Sequence, residues 1–291
     1  PFFEDWGRDT MIALAGTTLV TGRLEECKSI LQTFAKYEHH GLLPNLFPEG
    51  DVEPMYNSVD APLLFINAVY EYIQTSKDNA FLPEVWDVLK RIMTAYEKGT
   101  DYHIGMDSDC LIQAGADLEQ LTWMDVRVGN YLPTPRHGKP VEINAYWYND
   151  LEIMKQFALL QQDNKLAQHY AELADKVKEA FLLKFWNEEE NCLKDVLSGN
   201  SEENQVRCNQ VWVLSMPYTM LPKEKELCVL HKIKEELYTT AGLRTLSPKD
   251  SAFHDIYIGS MQERDRAYHQ GTVWAFPLGA YYRAWIKYLR Q

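Results

Sequence analysis

Thr10-Met11-Ile12-Ala13-Leu14-Ala15-Gly16-Thr17-Thr18-Leu19-Val20, then Gly22, then Leu24, Cys27, Leu31 and Phe34, is the stretch that decides the fold. The first run is apolar almost without interruption, which reads as a helix buried all round. The second sets apolar residues at i, i+3, i+7 and i+10, the stripe of a helix with one buried face. The pair then recurs. Ala61 to Ile73 is apolar nearly all round, with Pro62 where a first-turn proline is tolerated, and Val85, Leu89, Ile92 and Tyr96 follow as a one-sided stripe closed by Gly99. Ile143 to Leu160 precedes Leu166, Tyr170, Leu173, Val177 and Phe181; Asn209 to Leu221 precedes Leu227, Leu230, Ile233 and Leu237. Thr272 to Leu289 opens a fifth pair, with Pro277 set to kink it or delay its start. Such alternation predicts an all-α helical toroid, inner helices walled by an outer ring. Closing six pairs needs a sixth, which we expect beyond Gln291. Residues 1–291 thus read as a single domain, incomplete at the C-terminus and, since it begins at Pro1 inside a polar cluster, cut at the N-terminus. The stretch 100–139 differs in kind: Asp107-Ser108-Asp109 reads as the turn of a β-hairpin in a long insertion, and Pro133, Pro135 and Gly138 follow.

Composition narrows the function. With 46% hydrophobic and 24% charged residues the chain is long enough to bury a sizeable core. A net charge of −13 without a basic run argues against nucleic acid or anionic lipid as partner. No stretch is apolar for the roughly 18 to 20 residues a membrane span needs, and a signal-peptide pattern is missing from residues 1–30. Five widely spaced cysteines without a Cys-x-x-Cys pair fit unpaired thiols in a reducing cytoplasm and give no zinc site. Asp107 and Asp109 begin like a calcium loop but lack its glycine and terminal glutamate, so neither metal nor cofactor is expected. His39-His40 reads as a solvated helix end. The 17 Tyr and 8 Trp offer faces that stack on sugar rings, though aromatics serve any core.

Polar and aromatic clusters stand at the start of each helix read as buried: Asp5-Trp6-Gly7-Arg8-Asp9, Asn57-Ser58-Val59-Asp60, Glu142-Ile143-Asn144, Arg207-Cys208-Asn209-Gln210 and Tyr268-His269-Gln270. Taken singly, each is explained by N-capping. A short side chain suffices for a cap, however, and Trp6, Arg8, Glu142, Arg207 and His269 exceed that need. Parallel inner helices would gather the five clusters at one end of the toroid, as a pocket in which Arg and Asp bond vicinal hydroxyls of a neutral polyol and Trp supplies a stacking face. Hydrolysis of a sugar acetal also needs a carboxyl group that stays protonated and a second carboxylate on the opposite face. Asp125, set among Leu121-Thr122-Trp123-Met124 and Val126, has apolar neighbours that raise a carboxyl pKa; the alternative is an ordinary turn aspartate.

Six blocks resemble the amylo-α-1,6-glucosidase domain of glycogen-debranching enzymes: residues 3–10 from Phe3 to Thr10, 57–62 from Asn57 to Pro62, 122–125 from Thr122 to Asp125, 134–145 from Thr134 to Ala145, 242–248 from Gly242 to Pro248 and 267–274 from Ala267 to Trp274. They keep the family's order along nearly the whole chain. The resemblance implies an (α/α)6 barrel related to glucoamylases and inverting hydrolysis of the α-1,6-linked glucose left at branch points of glycogen or limit dextrin. It implies that Asp125 is the general acid and that Arg8 and Asp9 hold hydroxyls of the terminal glucose. Trp6, Asp60, Trp123, Glu142, Asn144, Arg207, Gln210, His269 and Gln270 are then expected to line the pocket. In the family the general base follows the last block, so we expect it beyond Gln291, with Glu142 as the alternative within the chain. Trp274-Ala275-Phe276-Pro277 departs from the family's Trp-Pro-Trp. Two other readings use the same features: a glucoamylase-like α-1,4 exo-glucosidase on the same barrel, and a glucan-binding domain without activity.

Overall fold

The computed structural model describes residues 4–48 and 52–290. Pro1, Phe3 and Gln291, which the sequence reading names, lie outside these. Three of the later helices are buried nearly all round, but the first is not, contrary to its almost unbroken apolar sequence. Helix α1 (Gly7–Leu14) and its continuation bury Gly7, Arg8, Met11, Leu14 and Thr18 and leave Ala13, Gly16 and Thr17 exposed; at Ala15–Leu19 the helix widens into a π-helical turn. There the Thr17 and Thr18 hydroxyls donate back to the carbonyls of Ala13 and Leu14, at 2.9 and 2.6 Å, loosening the regular ladder. Next, α2 (Leu24–Lys36) buries Cys27, Leu31 and Phe34. The pair α3 (Ala61–Ser76) and α4 (Phe81–Lys98) follows, α3 ending in left-handed Lys77 and α4 at Gly99. Then come α5 (Val141–Leu160) and α6 (Asn164–Lys184), the latter capped by Asp163, whose carboxylate accepts from the Leu166 N–H.

In α5 every residue from Val141 to Leu151 is buried. Such a helix needs apolar neighbours on all sides, and it has them: α5 packs on α3 and α6 and on α7 (Gln210–Ser215). Buried Trp147 stacks on Tyr96 of α4 at 6.1 Å. The Tyr96 hydroxyl in turn donates to the Val59 carbonyl at 2.7 Å, fixing the segment just before Asp60. Each fully buried Leu, Ile or Phe of this core contributes about 1.5–3 kcal/mol.

Three boundaries differ from the periodic reading. Helix α7 ends at Ser215 rather than Leu221, because Met216 precedes Pro217 and takes an extended ψ of 155°. The helix expected as the fifth buried one, α10 (Pro277–Arg290), starts at the proline, not at Thr272, and is buried on one side only, at Pro277, Tyr281 and Ala284. Val273–Trp274 instead pairs antiparallel with Leu243–Arg244, and Gly242–Leu243 of the same strand pairs with Tyr238–Thr239. Between α8 (Lys223–Lys232), continued by a π turn to Leu237, and α10 lies a short helix α9 (Met261–Ala267) with a Ser260–Glu263 capping box. Tyr268-His269-Gln270 therefore follows a helix and does not open one. Helix α3 packs on α1 and α5, and α7 on α5 and α10, while α2 and α4 lie on α3, α6 on α5, and α8 on α7 and α10.

Between α4 and α5, Gly105–Met106 pairs with Ile112–Gln113 around the Asp107-Ser108-Asp109 turn, where Lys139 bonds both aspartates at 2.7 Å. Lys139–Pro140 pairs with Val196–Leu197 and so sets the start of α5. Ahead of α1, Asp5–Trp6 pairs with Leu46–Phe47.

The opening of α1 is the tightest backbone approach. A Cβ at Gly7 would stand 2.0 Å from the Pro44 carbonyl oxygen, which is backbone and cannot swing away. Gly7→Ala is expected to cost about 1–3 kcal/mol in urea unfolding, as overpacked sites do. Ala at Gly16, which meets nothing within 4 Å, should leave the midpoint unchanged or raised.

Candidate active site

Arg8, in the first turn of α1, reaches across to two other segments. Its Nε donates to Asp60 at 2.5 Å, its Nη1 to Asp125 at 3.2 Å and its Nη2 to the Leu121 carbonyl at 3.2 Å. The Asp60 carboxylate also accepts from the Ser58 hydroxyl, and Ser58 Oγ accepts from the Ala61 N–H. Ser58, not Asp60, thus serves the start of α3, which leaves Asp60 to face Arg8. Burial works against the Arg8 charge, but Asp60 and Asp125 outweigh it and raise its pKa.

Asp125 differs from Asp60 in exposure: its side chain is 36% exposed and lines a cleft of about 390 Å³ with Trp6, Asn45, Asn57, Gln120, Arg127 and Asp265. Desolvation in the cleft wall raises its pKa, Arg8 lowers it and the Asp60 charge adds to the rise, for a net shift upward. A carboxyl poised in this way gives up a proton less readily than an ordinary aspartic acid.

The two residues before Asp125 are held from behind. Trp123 donates from Nε1 to Asn209 at 2.7 Å, Asn209 donates to Asp195 at 2.8 Å, and Asp195 accepts from Arg136 Nε at 2.8 Å. Arg136 forks with its other two nitrogens onto both oxygens of Glu142. Around the Trp123 ring, His269 and Phe276 stand edge-on at 5.1 and 5.0 Å, and Trp212 and Trp274 at 6.1 Å. Met124 is fully buried, with its sulfur against Arg207 and Asn209.

These contacts sort the residues expected from the sequence. Trp6 and Asp125 line the cleft, with Arg8 and Asp60 directly behind. Trp123 lies in the aromatic wall and His269 beside it; neither His269 ring nitrogen has a partner among the described residues. Asp9 is exposed on α1, outside the lining. Glu142, 1% exposed and chelated by Arg136, does not reach the cleft, which corrects its reading as the base within the chain. Asn144 is likewise engaged, donating to the Ile112 and Pro140 carbonyls and accepting from the Ile112 N–H. Gln210 bonds the Leu193 and Arg207 backbone. Arg207 holds Gln205, Gln270 and the carbonyls of Thr245 and His269, so the Arg207–Gln270 pair braces the site without opening on it. The sequence reading missed Asn45, Gln120, Arg127 and Asp265 in the cleft, and Arg136 and Asp195 beneath it. Asn45 alone carried a signal, as the single polar residue in Leu42-Leu43-Pro44-Asn45-Leu46-Phe47.

Two expectations follow. Arg136→Leu leaves Glu142 and Asp195 buried without their cation, and unfolding free energy should fall by about 3–5 kcal/mol; a loss under 1 kcal/mol would contradict the network. His269 is pushed down from 6.5 to about 3 by burial and by Arg207, Arg8 and Arg136, so the folded chain holds it neutral. Between those values the unfolded chain binds the extra proton, so His269 costs stability as pH falls from 6.5 toward 3, by up to about 1.4 kcal/mol per pH unit. In urea titrations across this window His269→Gln should flatten that slope.

Residues 1–291 match the family model described as amylo-alpha-1,6-glucosidase. The chain is 26% identical over 375 residues to a glycogen debranching enzyme of Saccharomyces cerevisiae, covering 97% of this chain and 24% of that protein. It is 28% identical over 130 residues to the mannosyl-oligosaccharide glucosidase of the same yeast, covering 42% of this chain and 14% of the relative. The chain thus spans about a quarter or less of these curated relatives. Among solved structures, a rhamnosidase from Klebsiella oxytoca with rhamnose bound superposes with a TM-score of 0.59 at 16% identity, over 80% of this chain and 42% of that one. At that identity the likeness is one of fold.

Proposed function

The chain belongs to the amylo-alpha-1,6-glucosidase family, and on that premise we propose that it hydrolyses α-1,6-linked glucose at the branch points of glycogen or a related branched α-glucan, with Asp125 as general acid. The observation that carries the reading is Asp125 itself: a carboxyl of raised pKa, open to a cleft and oriented by Arg8. A glycosidic oxygen leaves as a poor leaving group unless protonated, and a carboxyl that keeps its proton supplies this. Inverting hydrolysis pairs that acid with a carboxylate acting on water from the other face, and it requires no cofactor. On this reading α1, α3, α5, α7 and α10 are inner helices of an (α/α)6 barrel and α2, α4, α6 and α8 belong to its outer layer, with the cleft at the end where the inner helices start.

The role assigned to Trp6 is to stack on a sugar ring, that of Arg8 and Asp60 to hold Asp125 in register, and that of Trp123 and His269 to wall the pocket. Asp9, being exposed on α1, would meet glucan outside the cleft. Glu142, Asn144, Arg207, Gln210 and Gln270 act on sugar only through the residues they position. Among the described residues no helix is long and apolar enough to cross a membrane. The five free cysteines are in keeping with activity in the reducing cytoplasm.

The test is glucose release by the full-length protein from a dextrin bearing single α-1,6 glucose stubs, against linear maltotetraose. The stub should be preferred, and Asp125→Asn should lower kcat by about 100-fold to 10,000-fold. Activity should be lost as pH rises through the raised pKa of Asp125, because the acid then arrives without its proton. Preference for maltotetraose would instead indicate an α-1,4 exo-glucosidase, and binding of both without release a glucan-binding domain.

A further inference from the structure

Two of the residues lining the cleft beside Asp125 carry acceptors that no donor among the described residues satisfies. Asn45 is 3% exposed, and among the described residues its Oδ1 has no hydrogen-bond partner; the Oδ1 of half-buried Asn57 has none among them either. Both residues belong to the lining of the same cleft as Trp6 and Asp125. A buried acceptor left without a donor is strongly unfavourable, and native interiors rarely keep two together. Asn45 cannot withdraw to find a donor elsewhere. Its carbonyl accepts from the Gly7 N–H at 2.9 Å and its N–H donates to the Met55 carbonyl at 2.6 Å, so the backbone is pinned on both sides. The neighbouring Leu46 pairs with Trp6 across the short ladder, which holds the indole, 39% exposed, at the edge of the same cleft.

Two neutral acceptors beside an exposed aromatic face match a ring that donates from hydroxyls and stacks through its C–H surface. A hexose does both, since each hydroxyl has one proton to give. Carboxamides accept these protons without placing a formal charge against the ring, so the Asp125 pKa stays set by burial, Arg8 and Asp60.

We propose that Asn45 and Asn57 accept hydroxyl protons from the sugar ring lodged beside the Asp125 carboxyl, and that they select a fully hydroxylated glucan. The inference rests on the hydrolase reading above and deepens it by naming the groups that discriminate the substrate. Sites built to hydrogen-bond a hydroxyl discriminate against analogues lacking it far more strongly than apolar pockets reject a changed methylene.

Isomaltose binding is measured by calorimetry in the full-length Asp125→Asn protein, where the ligand stays intact, and steady-state kinetics on the α-1,6 stub dextrin are measured with Asp125 present. Asn45→Ala and Asn57→Ala should each weaken isomaltose binding and raise KM by about tenfold, equivalent to 1.4 kcal/mol of binding, with kcat changed less than about threefold. Two results overturn the proposal: unchanged affinity and KM in both variants, or loss of kcat alone. Asn57→Ala keeps the test open if Asn45→Ala fails to fold, because the Asn45 backbone also holds the start of α1. Failure of the Asp125→Asn protein to bind isomaltose, together with no release from the dextrin by the intact protein, would remove the hydrolase reading and this inference with it. Binding by the parent that the Asn variants retain in full would remove this inference alone.

Discussion

A guanidinium taken out of water needs carboxylates placed around it, and the burial of Arg136 is the constraint on which the rest of this site depends. Arg136 is 4% exposed and meets Glu142 and Asp195, both 3% exposed or less. Burial opposes its charge, and the Asp195 and Glu142 carboxylates more than restore it. Arg207, 3.9 Å from Asp195, is buried alongside. Two positive and two negative groups thus sum to zero, the condition under which ions persist in a protein interior. Because Glu142 sits on α5, Asp195 on the approach to a strand, Arg207 just before α7 and Arg136 on the long connection, neutrality fixes four chain segments at once.

From that knot the geometry passes outward to the cleft. Asp195 accepts from Asn209, and Asn209 accepts from Trp123, so the loop ending in Asp125 is anchored through its aromatic residue. Arg8 meets the same loop from the other side, at the Leu121 carbonyl and at Asp125. The two arginines have different consequences. Arg136 satisfies carboxylates that never meet solvent, whereas Arg8 shares its charge between buried Asp60 and an aspartate that opens on a cleft. With its nearest cation already committed to Asp60, Asp125 feels desolvation more than attraction, and its pKa rises.

Helix periodicity was the legible part of the fold. The buried faces of α2, α4 and α6 fall on Cys27, Leu31 and Phe34, on Val85, Leu89, Ile92 and Tyr96, and on Tyr170, Leu173, Val177 and Phe181, as the apolar spacing indicates. Boundaries set by long-range pairing were not legible. Nothing local shows that Val273–Trp274 joins Leu243–Arg244, and the apolar pattern around them reads equally as helix. The site divides in the same way. That polar residues gather near the helix starts was readable; which of them face the cleft was not, because Arg136 and Asp195 occupy segments without periodicity and decide the orientation of Glu142 and Asn209. Asn45 stands out in sequence as a lone polar residue in an apolar run, but that its Oδ1 has no partner among the described residues is visible only in the folded chain.

Capping is the simplest account of polar residues at helix starts, and the structure shows why it fails for most of these. No side chain caps the start of α1, α3, α5 or α7 at the Ncap position; those positions hold Trp6, Asp60, Pro140 and Asn209. Asp60 turns to Arg8, and Asn209 to Trp123 and Asp195. The first-turn N–H of α1 is served instead by a backbone carbonyl, Asn45 to Gly7, and that of α3 by Ser58. Short or backbone groups thus do the local work of ending the helices, which frees the longer side chains to bond between segments. A helix start whose cap is supplied from elsewhere can present charged and aromatic side chains to its neighbours. Several such starts, linked through Arg8, Arg136 and Arg207, form one connected polar layer whose only partly exposed carboxyl of raised pKa, among the described residues, is Asp125.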